Sequence, residues 1–214
     1  MATVPIITEE MLSHLRTAMA GQMSEKRYRH TLGVERMAAR LGELYLPYRI
    51  PALRAAALLH DITKELTTDE QVELCRIYGI PYSRADLLSP KLFHARTGAC
   101  RARDMYPAYV DDEALDAIRK HTTGAREMSV FAKLLYLADY IEDTRTYPNC
   151  VTLRRLFFEM PENMPQRERL LHLDKILVLS YDMTIRDLLG EESPIAPDTV
   201  DARNALLEEI NGYC

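Results

Sequence analysis

The sequence predicts an all-α fold, a single globular helical bundle. Apolar residues recur at helical spacing along nearly every segment. Residues that favour helix N-termini, such as Thr8, Ser24 and Ser129, stand before these segments. No alternation of apolar and polar residues extends beyond a few positions, which argues against strands. The 214 residues are 47% hydrophobic and contain no repeat or flexible linker, so one domain with a full core is expected.

The first third of the chain is expected to form four helices. Their N-terminal signals are, in order, Thr8, Ser24, Pro51 and the capping-box pair Thr67 and Glu70. The third segment is rich in Ala and Leu, is apolar on nearly all sides and includes the pair His60–Asp61. A helix of this kind is expected to be buried at the centre of the bundle.

The rest of the chain continues the helical pattern. Residues 83–93 are expected to form a loop or short helix, and Pro148 marks a break. Helices are expected at 94–105, at 111–121, after Ser129, at 168–189 and at 198–210. The predicted organisation is an N-terminal helix at 1–22, a core at 23–190 and a C-terminal helical tail at 191–214 that packs on the core.

Composition excludes several classes of protein. The net charge of −5 argues against a general nucleic-acid binder. No apolar run reaches the roughly 20 residues that span a bilayer, and the N-terminus lacks a signal-peptide pattern. The cysteines are scattered and form no C-x-x-C pair, at positions Cys75, Cys100, Cys150 and Cys214. That arrangement argues against a zinc knuckle or a disulfide framework and suits a reducing cytoplasm.

The pair His60–Asp61 ends an apolar run, where burial of both side chains is expected. A buried carboxylate beside a buried imidazole is costly unless both have partners. A divalent metal would satisfy both at once. Taken alone, however, the pair is more simply explained as a hydrogen-bonded core histidine beside a helix-terminal aspartate.

Four further residues stand in comparable surroundings: His30, His94, His121 and Asp139. Each has an ordinary explanation, since a histidine can lie on a helix surface or bond a carbonyl, and Asp139 can pair with a buried cation. His14 and His172 lack such neighbours and are expected to be structural or surface residues. Together, the ordered set His, His-Asp, His, His, Asp on an all-α chain resembles the signature of the HD-domain metal-dependent phosphohydrolases.

The resemblance extends to one subgroup, the YqeK-like proteins, from about Arg27 to Leu207. It is carried by Arg27-x-x-His30-x-x-Gly33-Val34, Ala57-Leu58-Leu59-His60-Asp61-x-x-Lys64, His94-x-x-x-Gly98, Ile118-x-x-His121-Thr122-Thr123-Gly124, Ala138-Asp139-x-Ile141-Glu142-x-x-Arg145 and Ile195-x-Pro197-Asp198-Thr199-x-x-Ala202-Arg203-Asn204. The chain departs from the pattern at Asp143-Thr144, where Pro-Gly or Pro-Ser is expected, and in its first twenty or so residues.

This resemblance implies an HD-domain helical bundle and a symmetrical bis(5'-nucleosyl)-tetraphosphatase, which splits diadenosine tetraphosphate into two ADP molecules by metal-activated water. The implied metal ligands are His30, His60, Asp61 and Asp139. The implied catalytic residues are Asp61, His94 and His121. The implied substrate-binding residues are Arg27, Lys64, His94, His121, Thr122 and Arg145. One iron ion is expected, with manganese or zinc as substitutes, and a second metal at His94 and His121 is the alternative.

Two other functions fit the same motifs. The chain could be an HD-domain nucleotidase or phosphodiesterase that acts on another nucleotide, or a nucleotide sensor without catalytic activity. The sequence leaves the base preference and a homodimeric assembly open. It also leaves open whether the tail from Ile195 onward covers the mouth of the site or meets a partner subunit.

Overall fold

The computed structural model of the chain describes residues 6–161 and 163–212. Among these residues it contains ten α-helices and no strand, which confirms the predicted all-α fold. The helices are α1 Glu9–Ala20, α2 Glu25–Tyr45, α3 Ile50–Leu59, α4 Thr68–Tyr78, α5 Phe93–Met105, α6 Asp112–Lys120, α7 Val130–Ile141, α8 Pro148–Phe158, α9 Gln166–Gly190 and α10 Pro197–Gly212. None of these helices has both the length and the apolar character needed to cross a bilayer.

The predicted segments at 1–22 and 191–214 are described only in part. Residues 1–5 and 213–214, and with them Cys214, lie outside the described residues. The division into 1–22, 23–190 and 191–214 stays a prediction.

The predicted capping residues begin their helices. The hydroxyls of Thr8, Ser24 and Ser129 each accept a hydrogen bond from a backbone N–H three residues later. Thr67 and Glu70 form the predicted capping box at the start of α4. These bonds satisfy backbone donors that have no partner inside the helix, so short-range sequence signals define where the helices begin.

Helices α3 and α7 form the centre of the core. The run from Ala55 to Leu59 is completely buried, because α1, α2, α6 and α7 surround α3. Each fully buried Leu in such a core contributes roughly 1.5–3 kcal/mol to the free energy of unfolding. The predicted central position of the Ala/Leu-rich helix is confirmed.

Two local features differ from the sequence-based expectation. Helix α3 ends at Leu59, so His60 follows its last turn and Asp61 lies in the turn beyond it. Helix α8 begins at Pro148, where only a break was predicted. Proline lacks a backbone N–H, and the first position of a helix does not need one, so the same residue can open a helix.

The C-terminal helices close over the turn that follows α6. In this turn Gly124 has φ +68°, and a Cβ atom there would lie 2.0 Å from Tyr181 Oη and 2.9 Å from Ala202 Cβ. Tyr181 belongs to α9 and Ala202 to α10. The absence of a side chain at Gly124 therefore allows both helices to approach the turn.

Replacement of Gly124 by Ala is expected to destabilise the protein more than replacement of Gly79 by Ala. Both glycines are left-handed, with φ near +63° to +68°, but a Cβ at Gly79 meets nothing within 4 Å. Left-handed backbone costs about 1–2 kcal/mol in each variant, and overpacking adds about 1–3 kcal/mol at Gly124 alone. Urea unfolding of both variants measures the difference. Equal losses of unfolding free energy would contradict the packing argument.

Candidate metal centre and active site

Four histidines and two aspartates from separate segments meet inside the bundle. They are His30 in the second turn of α2, His60 and Asp61 just after α3, His94 in the first turn of α5, His121 just after α6, and Asp139 in the last turn of α7. Every residue that the sequence suggested as a metal ligand or catalytic group therefore lies in one cluster.

Each of the four imidazoles has its Nδ1 atom beside an oxygen. These pairs are His60 Nδ1 with Ala57 O at 2.6 Å, His94 Nδ1 with Lys91 O at 2.6 Å, His121 Nδ1 with Ile118 O at 2.7 Å, and His30 Nδ1 with Glu142 Oε1 at 3.1 Å. Carbonyl and carboxylate oxygens accept hydrogen bonds, so in the neutral rings Nδ1 carries the proton. The Nε2 lone pairs then face the centre of the cluster.

Asp61 lies between two groups of these Nε2 atoms. Its Oδ1 is 3.1 Å from His94 Nε2 and 3.7 Å from His121 Nε2. Its Oδ2 is 3.3 Å from His60 Nε2 and 3.8 Å from His30 Nε2. Each carboxylate oxygen of Asp61 thus faces a different pair of imidazoles.

Asp139 joins the group formed by His30 and His60. Its Oδ1 is 3.0 Å from His30 Nε2 and 3.9 Å from His60 Nε2. The site has two adjacent sets of donor atoms that share His60: His30, His60 and Asp139 form one set, and His60, Asp61 and His121 form the other. Within each set the donor atoms lie within 4.8 Å of one another, as ligands of one ion must.

The electrostatics of the cluster favour a cation. Burial by itself raises the pKa of Asp61, but the surrounding imidazoles, His60 foremost, hold that pKa well below its usual value. Burial lowers the pKa of His30, yet the nearby carboxylates of Asp139 and Glu142 raise it to about 9. These carboxylates stay ionised although they are buried, and they stabilise positive charge on a neighbouring ring. Such an environment suits a metal ion.

The donor atoms fit a divalent metal. The Nε2 atoms of His30 and His60 are buried, and although carboxylate oxygens lie close to them, neither makes a hydrogen bond of acceptable geometry in the described structure. Buried polar atoms are rarely left unsatisfied, and a metal ion would satisfy both. Nitrogen and oxygen donors without thiolate suit iron, manganese or zinc.

Three cationic side chains border the cluster: Arg27, Lys64 and Arg145. Arg27 Nη1 is 2.5 Å from Asp61 Oδ2, and Arg145 Nη2 is 2.6 Å from Asp139 Oδ1. Both guanidinium side chains remain partly exposed at the rim. Lys64 Nζ lies 3.2 Å from the His94 ring, and burial lowers its pKa.

Thr122 connects the cluster to a cavity. Its Oγ1 is 3.2 Å from the Nε2 atoms of both His94 and His121. The cavity, of about 300 Å³, lies between the segment at 88–92 and the C-terminal part of α9. Its lining combines apolar walls with hydroxyls, from Leu88, Leu92, Leu188, Thr122, Thr184 and Ser193 among others. A second cavity of about 450 Å³ shares the wall formed by Leu92, Pro194 and Ala196 and is lined by Arg96, Arg119 and Lys120.

The contact between Glu142 and His30 was not predicted from the sequence. Its position belongs to the motif around Asp139, but no role was predicted for it. In the structure its side chain is fully buried against His30. The available signal was a carboxylate at the end of an apolar helix, which needs a partner if it is buried.

Comparisons with known proteins agree with this geometry. The HD domain family model matches residues 27–144. The symmetrical bis(5'-nucleosyl)-tetraphosphatase of Halalkalibacterium halodurans is 34% identical over 87% of this chain and 92% of its own length. The enzyme of the same name from Bacillus subtilis is 31% identical over 87% of this chain and 92% of its own length.

A solved HD superfamily hydrolase from Clostridium acetobutylicum, described as involved in NAD metabolism, has a similar fold. Its TM-score is 0.79 at 29% sequence identity, over 95% of this chain and all of that one. The chain belongs to the HD domain family, in the branch whose curated members are called symmetrical bis(5'-nucleosyl)-tetraphosphatases.

Proposed function

We propose that the chain hydrolyses diadenosine tetraphosphate symmetrically into two ADP molecules with a divalent metal. The observation that carries this proposal is the convergence of His30, His60, Asp61 and Asp139 in one cluster. The chain also aligns with almost the full length of relatives named for this activity. The alternatives, another nucleotide substrate or a sensor without turnover, are not favoured by those names.

The proposed metal ligands are His30, His60, Asp61 and Asp139, and the proposed ion is iron, with manganese or zinc as substitutes. A divalent ion bound there supplies Lewis acidity, which lowers the pKa of water and withdraws charge from a phosphoryl group. We favour one ion per chain, as the resemblance implies. The donor set that includes Asp61 and His121 supports a second ion as the alternative, and metal analysis decides between them.

The chain's own side chains then have to orient a polyphosphate. Arg27 and Arg145 each hold a proposed ligand carboxylate, and both side chains remain partly exposed. A planar guanidinium can contact a carboxylate and a phosphate with different N–H groups. Lys64 adds charge beside His94, and the Thr122 hydroxyl can donate a neutral hydrogen bond.

The 300 Å³ cavity is proposed to hold a nucleoside half of the substrate. Thr122, which contacts both His94 and His121, lines this cavity and does not line the larger one. Apolar walls suit a purine face, and a few hydroxyls suit its edge and the ribose. A nucleoside in this cavity would leave its phosphates directed toward the imidazole pair.

Product analysis tests the reaction itself. Metal-loaded protein incubated with diadenosine tetraphosphate is expected to yield ADP as the sole product, separated by chromatography. ATP plus AMP would contradict symmetrical cleavage. The matched controls are Asp61→Ala, which removes the central carboxylate and should abolish turnover, and Asp104→Ala, an exposed residue that should leave it unchanged.

Arg27→Ala is expected to raise the KM for diadenosine tetraphosphate by about tenfold or more, because a charge-assisted hydrogen bond contributes about 1.5–3 kcal/mol. Arg29→Ala is the matched control. Arg29 lies two positions away on α2, is 70% exposed and pairs with Glu25. The KM values of the two variants are compared by steady-state kinetics. Equal KM values would mean that Arg27 does not bind the phosphates.

Ser193→Trp is expected to raise the KM for diadenosine tetraphosphate about tenfold while leaving hydrolysis of base-free inorganic tetraphosphate unchanged; tenfold corresponds to about 1.4 kcal/mol. Ser193 lines only the smaller cavity, so a large ring there should displace the nucleoside. Ala125→Trp, which should fill the larger cavity instead, is the control. A larger effect of Ala125→Trp would assign the nucleoside to that cavity.

A further inference from the structure

His30 differs from the other three histidines in how its Nδ1 proton is satisfied. His60 and His121 follow the last turns of α3 and α6 and use backbone carbonyls there. The last carbonyls of a helix have no partner within the helix, so they are available. His30 lies in the second turn of α2, where the neighbouring carbonyls already accept hydrogen bonds from N–H groups of the same helix. Its Nδ1 therefore needs an acceptor from another part of the chain.

Glu142 supplies that acceptor and is held in place for it. Its Oε1 is 3.1 Å from His30 Nδ1, and its side chain has no exposed surface. The backbone N–H of Thr144 donates to Oε2 at 2.7 Å, and the Thr144 hydroxyl donates to Oε1 at 2.6 Å. Two donors beside the histidine thus fix the orientation of the carboxylate.

Helix α2 leaves space for this carboxylate. Gly33 lies one turn after His30, and a Cβ atom at Gly33 would be 2.1 Å from Glu142 Oε2. No side chain larger than hydrogen fits there without moving Glu142. The same helix therefore carries the histidine and the gap through which its partner reaches it.

Glu142 also connects His30 to Asp139. Glu142 directly follows α7, three residues after Asp139. Arg154 of α8 braces this segment, since its guanidinium donates to the carbonyls of Ile141 and Arg145 at 2.6 and 2.9 Å. The segment that carries one proposed metal ligand thereby orients another.

We propose that Glu142 is a positioning residue that fixes the tautomer and ring orientation of His30 for metal binding, with Gly33 providing the space that it needs. The carboxylate holds the proton on Nδ1 and keeps the Nε2 lone pair directed at the cluster. Its negative charge also strengthens His30 as a donor to a cation. This role concerns metal affinity and does not depend on which substrate the site takes.

The test is the affinity of metal-free protein for Mn²⁺, measured by competition with a chelating dye. Glu142→Ala is expected to bind Mn²⁺ about 10–100-fold more weakly. Glu142→Gln, which keeps an acceptor oxygen but loses the charge, should fall between Glu142→Ala and the unmodified protein. The control is Glu43→Gln, at an exposed carboxylate near the C-terminal end of the helix that carries His30, and it should change the affinity less than twofold.

Thermal unfolding of the metal-free variants separates positioning from general stability. A lower unfolding temperature with unchanged Mn²⁺ affinity in Glu142→Ala would overturn the proposal, because it would mean that Glu142 only stabilises the fold. If Glu142→Ala does not fold, the Mn²⁺ affinities of Glu142→Gln and Gly33→Ala test the proposal instead. Both should weaken Mn²⁺ binding, and unchanged affinity in both would overturn the proposal. Failure to cleave diadenosine tetraphosphate would leave this result unaffected.

Discussion

Hydrogen bonds at the four Nδ1 atoms determine where the imidazole lone pairs of the site point. If one of these rings turned over, it would leave a buried N–H without an acceptor, at a cost of about 1–3 kcal/mol. Three of the acceptors are backbone carbonyls, and the fourth is the Glu142 carboxylate. Each depends on where a helix ends or on how two helices pack. The geometry of the site is therefore built into the secondary structure of the bundle.

The helix ends explain how a polar site can exist within an apolar core. Helix α3 is completely buried along its last turn, yet His60 and Asp61 follow it directly. The end of a helix offers carbonyls that would otherwise lack partners, so a buried histidine there satisfies both itself and the backbone. Asp139 lies in the last turn of α7, beside an arginine that follows the helix. Apolar packing positions these groups, and hydrogen bonds at the helix ends offset the free-energy cost of burying them.

The C-terminal part of the chain shapes the surroundings of the site. Pro194 and Ala196 form part of the wall between the two cavities, and α9 and α10 pack over the turn at Gly124. Lys133 on α7 binds Asp174 on α9 at 2.9 Å and Glu209 on α10 at 2.6 Å, which ties the tail to the core. Ala196 and Thr199 of the tail line the cavity that is proposed to hold a nucleoside.

The sequence by itself determined the helical fold, most helix starts and the set of histidines and aspartates, because these depend on residue type and on spacing within a few turns. It did not find α8 or the role of Glu142. The partner of His30 lies 112 residues away, and the gap at Gly33 exists only because α2 and α7 pack closely there. Such contacts depend on how helices pack against one another, and the spacing of residues within a few turns does not indicate that packing. The tertiary structure alone decided the direction of the lone pairs and the shape of the cavities.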